Sequence, residues 1–284
     1  MTQQPQNDHP LYRKQDPNPQ DTDAPQAEEV RQQGIPIPLA AKMPVVTYAL
    51  IVINVTIFAL RYFVPEFATQ IILAGFIDPD AVIQDGQFYR LFTGMFLHFN
   101  ESHMMFNGIA LYYIGSNIER LFGHVRFGLI YLLGGLAGSI FPLLFGGGGL
   151  GASGAVFAIW GAEVVFLYRN LRLLGEAGKA RIRSTGMLML FNFAFGFTAN
   201  AISNVADTGV RIGNAAHFGG LLGGAILAWF IAPIFVVKRT TPTESSPHGV
   251  VIGVQNALAS HGREILGFVV GLVVLLAVAG ALRL

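Results

Sequence analysis

Gly146-Gly147-Gly148-Gly149-Leu150-Gly151-Ala152-Ser153-Gly154 is a run of small residues that turns directly into an apolar helix ending at Arg169 and Arg172. Residues 153–168 make a helix of about 24 Å, roughly 6 Å short of the hydrocarbon thickness of a bilayer. If the two arginines hold one end at the interface, the Ser153 end starts below the membrane surface. A helix N-terminus leaves backbone N–H groups without partners, and at that depth they are tolerated only beside protein or a water-filled cavity. The stretch therefore implies a recess containing water at Ser153.

Composition supports the membrane setting. The chain is 52% hydrophobic, only 12% charged and carries 34 glycines, whereas soluble domains are about 25% charged. Apolar runs long enough to span lie near 45–64, 127–145, 185–204, 213–237 and 265–282. Two shorter, more polar runs lie near 103–118 and 153–168. Seven spans are predicted, so the fold class is an all-α, polytopic membrane protein.

Charge fixes the expected orientation. With the N-terminus inside, fourteen of the 18 Lys and Arg residues fall in inner segments, leaving Arg61, Arg90, Arg211 and Arg283 outside. The positive-inside rule then puts the N-terminus in the cytoplasm and the C-terminus outside, which requires an odd number of spans. A net charge of +1 gives no reason to invoke a nucleic-acid partner, and the absence of cysteine excludes disulfides, thiolate metal sites and a cysteine nucleophile. The first 40 residues lack the apolar core and cleavage site of a signal peptide, so the first span is expected to act as an uncleaved anchor.

The organisation expected along the chain is a disordered cytoplasmic tail over 1–40, a six-span core over 41–237, a cytoplasmic linker over 238–263 and a seventh transmembrane helix over 264–284. The tail is too polar to bury a core; the linker is marked by Thr240, Thr241, Pro242, Ser245, Ser246 and Pro247. Between the first two spans, Phe76-Ile77-Asp78-Pro79 and Phe88-Tyr89-Arg90-Leu91-Phe92 suit a loop lying in the outer interface. Small residues four apart, Gly134 with Gly138, Gly219 with Gly223, Gly220 with Gly224 and Gly267 with Gly271, suit close helix approach.

A second apolar helix opens with Ala216-His217-Phe218-Gly219-Gly220. Ser153 and His217 thus sit at the outer start of separate spans, as a hydroxyl and an imidazole suited to be nucleophile and base. Taken singly, Ser153 also reads as an N-cap and His217 as a buried structural histidine. A third group shifts the balance: in His98-Phe99-Asn100-Glu101-Ser102-His103-Met104-Met105-Phe106-Asn107, His103 and Asn107 share a helix face. Their donors, with the backbone N–H groups of Ala152 and Ser153, suit the negative oxygen of a tetrahedral intermediate. Zinc on His98, His103 and His217 is the rival, but a spacing of five and the lack of a supporting acid disfavour it. No cofactor and no metal are expected.

These residues resemble the rhomboid intramembrane serine proteases over about 45–237. The resemblance rests on His98, His103 and Asn107, on Gly151-Ala152-Ser153-Gly154, on Ala216-His217 with Gly220 and Gly224, and on Gly115, Glu119 and Gly123. It implies a six-helix rhomboid-like bundle plus one C-terminal transmembrane helix. Ser153 would be the nucleophile and His217 the general base, a dyad without an acid. His103, Asn107 and Ala152 would form the oxyanion hole, with His98, Gly151, Gly154 and Phe157 in support. Phe157 stands where many relatives have Tyr and would stack on His217; Tyr89-Arg90 resembles the family's Trp-Arg pair.

The implied activity is cleavage of transmembrane segments of other membrane proteins in a bilayer, through an acyl-enzyme. The expected location is multi-pass in a bacterial plasma membrane. Asp207, ten residues before His217, suits a loop position better than a third catalytic group, and Glu163 suits a structural pairing. The rivals are a non-catalytic relative that binds membrane proteins, which would be expected to lack Ser153 or His217, and a transporter. A transporter predicts polar residues along a whole pathway, whereas here they gather at the outer half.

Overall fold

A computed structural model describes residues 37–206, 212–239 and 250–283. Most of the N-terminal tail, Asp207 and residues 240–249 lie outside the described residues.

Helices cover most of the apolar runs. Helices α1 (Val45–Phe63), α2 (Pro65–Gly75), α3 (Pro79–Ile83) and α4 (Arg90–Thr93) come first. Helices α5 (Glu101–Ala110) and α6 (Ser116–Phe122) form one rod through a π-helical segment at Leu111–Gly115. Helices α7 (His124–Leu129) and α8 (Gly135–Ile140) form another through Ile130–Gly134, continuing as a 3₁₀ turn to Phe145. Then come α9 (Ser153–Arg169), α10 (Leu171–Ala206), α11 (Asn214–Ile231), strands β1 (Ile234–Arg239) and β2 (Val250–Gln255), and α12 (Gly262–Ala281).

Five stretches are long and apolar enough to cross a membrane: Val45–Phe63, His124–Phe145, Leu171–Val205, Asn214–Ile231 and Leu258–Ala281. They fall on the five long runs expected from hydropathy, and the two short runs are the α5–α6 rod and α9.

Local chemistry explains the boundaries. Asn100 accepts the N–H of His103 at 2.9 Å and caps α5, satisfying an orphan donor of the first turn. Asp78 does the same for α3, with Pro79 in the first helical turn. Helix α1 is capped from a distance: the Glu119 carboxylate accepts the N–H groups of Val46 and Thr47 at 2.8 and 2.7 Å and the Thr47 hydroxyl at 2.6 Å. Gly175, at φ 56 and ψ −137, breaks α10 near its start, a conformation open chiefly to glycine.

Three helices dominate the centre. Helix α9 packs along α11, and α8 packs against both. The contacts run through glycine: a Cβ on Gly220 would overlap the carbonyl oxygen of Gly154, one on Gly224 that of Ala158, and one on Gly161 that of Leu221. Backbones this close gain dispersion contacts that side chains would block. Gly134 and Gly138 also face this seam, but Gly267 and Gly271 meet nothing within 4 Å. That last pair corrects the expected close approach, because the glycine face of α12 is turned away from the core.

Other expectations are corrected as well. The helix expected to run to 237 stops at Ile231, where Ala232 is extended (ψ 143) and Pro233 follows; proline has no N–H and restricts the preceding residue. Where a linker over 238–263 was expected, Ile234–Arg239 and Val250–Gln255 pair antiparallel and α12 begins at Gly262. Val236, Val237, Val251 and Ile252 are β-branched residues that favour a pleated surface. The first loop, expected only to lie in the outer interface, contains three helices.

Candidate functional site

Ser153 opens α9 at the end of the glycine loop, where Gly146, Gly149 and Gly151 have φ of 70, 149 and 133. Such φ values strain any side chain, so glycine is the residue type that lets the loop turn the serine inward. Backbone bonds fix the loop from outside. Ile77 and Gly149 exchange two, at 2.8 and 3.0 Å, and Gly151 N–H donates to the Gly94 carbonyl at 2.8 Å. Arg90, itself buried, holds the partner segment by donating to the carbonyls of Leu73 and Phe76 at 2.8 and 2.9 Å and to Gln87 at 2.7 Å.

His217 sits in the first turn of α11. Its ring lies parallel to that of Phe157, with centroids 4.2 Å apart and planes at 6°, and Phe193 of α10 meets it edge-on at 6.3 Å. Phe157 is one turn after Ser153 on α9, so the stacking sets the imidazole beside the serine's own helix. The start of α11 is tied to the end of α10 by a two-way bond, Asn200 Nδ2 to the Ile212 carbonyl at 2.9 Å and Ile212 N–H to Asn200 Oδ1 at 2.6 Å. His217 Nδ1 is buried without a hydrogen-bond partner among the described residues. That leaves Nε2 as the ring nitrogen that is not fully enclosed. Ser153 Oγ and the imidazole, expected to meet within hydrogen-bonding reach, are not hydrogen-bonded to each other in this structure.

His103, from the first turn of α5, completes the cluster. Its Cε1 and Nε2 lie 2.7 Å from the point a Gly151 Cβ would occupy, and Ser153 Oγ lies 3.8 Å from the same point. Nδ1 of His103 accepts the Phe99 N–H at 3.5 Å, which leaves the proton of a neutral ring on Nε2, the nitrogen beside Gly151. Asn107 is buried one turn further, donating to the His103 carbonyl at 3.1 Å. His98 packs edge-on against His103 at 5.1 Å and is buried, and neither of its ring nitrogens has a hydrogen-bond partner among the described residues. Ala152 and Gly154 are buried, Gly154 against Gly138 and Gly220.

Every candidate site residue named in the sequence, apart from Asp207, thus has a described place. Ser153, His103, Ala152 and Gly151 gather at one point, His217 and Phe157 stack beside it, and Asn107 and His98 flank His103. Glu163 lies elsewhere: it accepts from Arg181 at 2.6–2.8 Å and from Thr185 at 3.0 Å, clamping α9 to α10. Sequence reading missed the supports Asn200, Phe193 and Gly94. The Asn100 cap three residues before His103 is the kind of local signal that reveals such a role; a bond between residues twelve apart gives none.

Comparison with known proteins follows the same lines. Residues 85–234 match the Rhomboid domain. The chain is 32% identical over 195 residues to the rhomboid protease GluP of Bacillus subtilis (strain 168), covering 65% of this chain and 34% of that protein. It is 30% identical over 166 residues to RHOMBOID-like protein 1 of Arabidopsis thaliana, covering 58% and 39%, and 30% identical over 207 residues to RHOMBOID-like protein 4 of the same plant, covering 70% and 49%. The chain spans a third to a half of the length of these relatives.

Proposed function

The chain belongs to the rhomboid family, an integral multi-pass membrane protein, and from that membership and the site we propose that it is an intramembrane serine endopeptidase. The observation that carries the reading is the stacking of His217 on Phe157, one turn along the helix that Ser153 opens, with His103 at Gly151 on the other side.

The chemistry follows from the groups. Nε2 of His217 takes the Ser153 hydroxyl proton as Oγ bonds to the scissile carbonyl carbon. The developing oxyanion is received by His103 Nε2–H, Asn107 and the backbone N–H groups at Ala152 and Ser153, each donor worth about 3 kcal/mol, and by the positive end of α9. Collapse breaks the C–N bond, the amine leaves with the proton from His217, and water hydrolyses the ester. With Nδ1 unpartnered among the described residues, ring orientation falls to Phe157 rather than to a carboxylate. A transmembrane helix hides its carbonyls in its own hydrogen bonds, so the substrate is a membrane protein with a locally unwound segment. The working unit is the six-span core, with the N-terminus in the cytoplasm and the Ser153 end facing outward in a bacterial plasma membrane.

Labelling with a fluorophosphonate probe tests this. The purified full chain is expected to label, and Ser153→Ala and His217→Ala are not. Equal labelling of Ser153→Ala removes the assignment.

A further inference from the structure

A second apolar core lies beside the glycine loop, apart from the one that packs the helices behind Ser153. The first loop contributes Ile77 and Val82 to it, and α12 contributes Leu272 and Ala279, with α8 between them. Ala279 is fully buried there. Two further contacts tie the end of α12 to α3: Ile83 Cγ2 stands 3.8 Å from where a Gly280 Cβ would be, and Arg283 Nη2 lies 3.1 Å from Asp80 Oδ1. Higher on α12, the Phe268 ring comes within 3.5 Å of the Cβ position of Gly223, on the helix that carries His217.

These contacts bear on Ser153 through one short path. Ile77 is the residue that exchanges both backbone hydrogen bonds with Gly149. A loop with five glycines in six residues, Gly146 to Gly151, has much conformational freedom to lose. The amides of Gly146 and Gly147 hold its start against Leu143 and Pro142, and beyond them its position is set by the bonds that Ile77 and Gly94 supply from outside. Ile77 in turn rests on the core that α12 closes.

We infer that α12 braces the loop bearing Ser153, with Ala279 and Arg283 as positioning residues acting through Ile77 and Asp80. The catalytic consequence rests on the protease reading; the mechanical one does not. Hydrogen exchange of the 146–152 segment in the full chain measures the brace directly, because within it the Gly149 and Gly151 amides donate to Ile77 and Gly94. Ala279→Trp is expected to speed that exchange by about tenfold while residues 116–122, at the opposite end, keep theirs. Arg283→Ala, removing a partly exposed ion pair, is expected to give about twofold.

Because the chain has no cysteine, Ile83→Cys with Gly280→Cys supplies the only pair able to oxidise. Its disulfide is expected to slow exchange of 146–152 below wild type, and reduction to reverse this; the pair also decides the matter if Ala279→Trp does not fold. Fluorophosphonate labelling of Ser153 is expected to slow in step with faster exchange. Unchanged exchange at 146–152 in Ala279→Trp, or a cysteine pair that does not oxidise, overturns the brace. Absence of labelling in wild type sinks the protease reading instead and leaves the exchange result to judge α12.

Discussion

The two ends of the helix bundle employ their buried polar side chains differently. At the end remote from Ser153, Glu119 has both carboxylate oxygens occupied by Val46, Thr47 and His124. Asn170 donates to the carbonyls of Phe166 and Pro233 and accepts from Phe235. Asn256, at φ 74, donates to Phe230 and Ala232 and meets His261, while Arg126 donates to its carbonyl. At the Ser153 end, His98 has both ring nitrogens, Asn214 both amide atoms and His217 its Nδ1 buried without a partner among the described residues, whereas the remote end leaves single atoms so, such as Ser116 Oγ, Arg120 Nε and Arg126 Nε. A buried polar atom without a partner costs about 1–3 kcal/mol. The remote end commits its carboxylate and amide groups to helix ends and a strand, whereas the Ser153 end keeps a whole imidazole and a whole amide unbonded among the described residues.

The contrast breaks most readily at the seam joining the ends. Gly220→Val would drive a side chain into the Gly154 carbonyl, and overpacking there is expected to cost about 3 kcal/mol and abolish labelling, read by thermal unfolding and probe incorporation together. Next in size, Glu119→Ala strands two backbone N–H groups and the Thr47 hydroxyl. A loss of about 3 kcal/mol in stability is expected, with the folded fraction labelling at the wild-type rate. A slower rate in that fraction would mean that the two ends are not separable.

Arg181→Leu removes the partner of Glu163 but begins half-exposed, so screening limits the expected loss to about 1 kcal/mol, again without an effect on labelling. Phe157→Leu is the smallest in stability and the most local. It removes the parallel ring face under His217, and aromatic pairs contribute about 1 kcal/mol beyond burial. Labelling is expected to slow about tenfold with little change in unfolding temperature; an unchanged rate would show that stacking does not orient the imidazole.

Much of this was legible in the chain. Runs of apolar residues identify helices by length alone, because hydrocarbon thickness sets the number of residues per span. The glycine run, Ser153, His103, Asn107 and His217 were readable because a polar group placed beside apolar stretches must have a reason to be there. Asp78-Pro79 and Asn100 marked helix starts through local bonds. The strand pair at 234–255 was not legible, because six-residue strands carry a weak signal between polar stretches and gain their stability from each other. Nor was the early start of α10, whose charged first turns lie outside any apolar window.

What the sequence determined by itself was the rough extent of the five long apolar helices and the cast of polar residues at one end, since both follow from transfer free energies that each residue carries wherever it is placed. Tertiary structure decided which of those residues meet: that His217 lies on Phe157, that His103 reaches Gly151, that Glu119 caps a helix 72 residues away and that α12 closes a core beside the serine loop. Such pairings depend on helix rotation and on how closely glycine lets backbones approach, and neither is a property of any one segment of the chain.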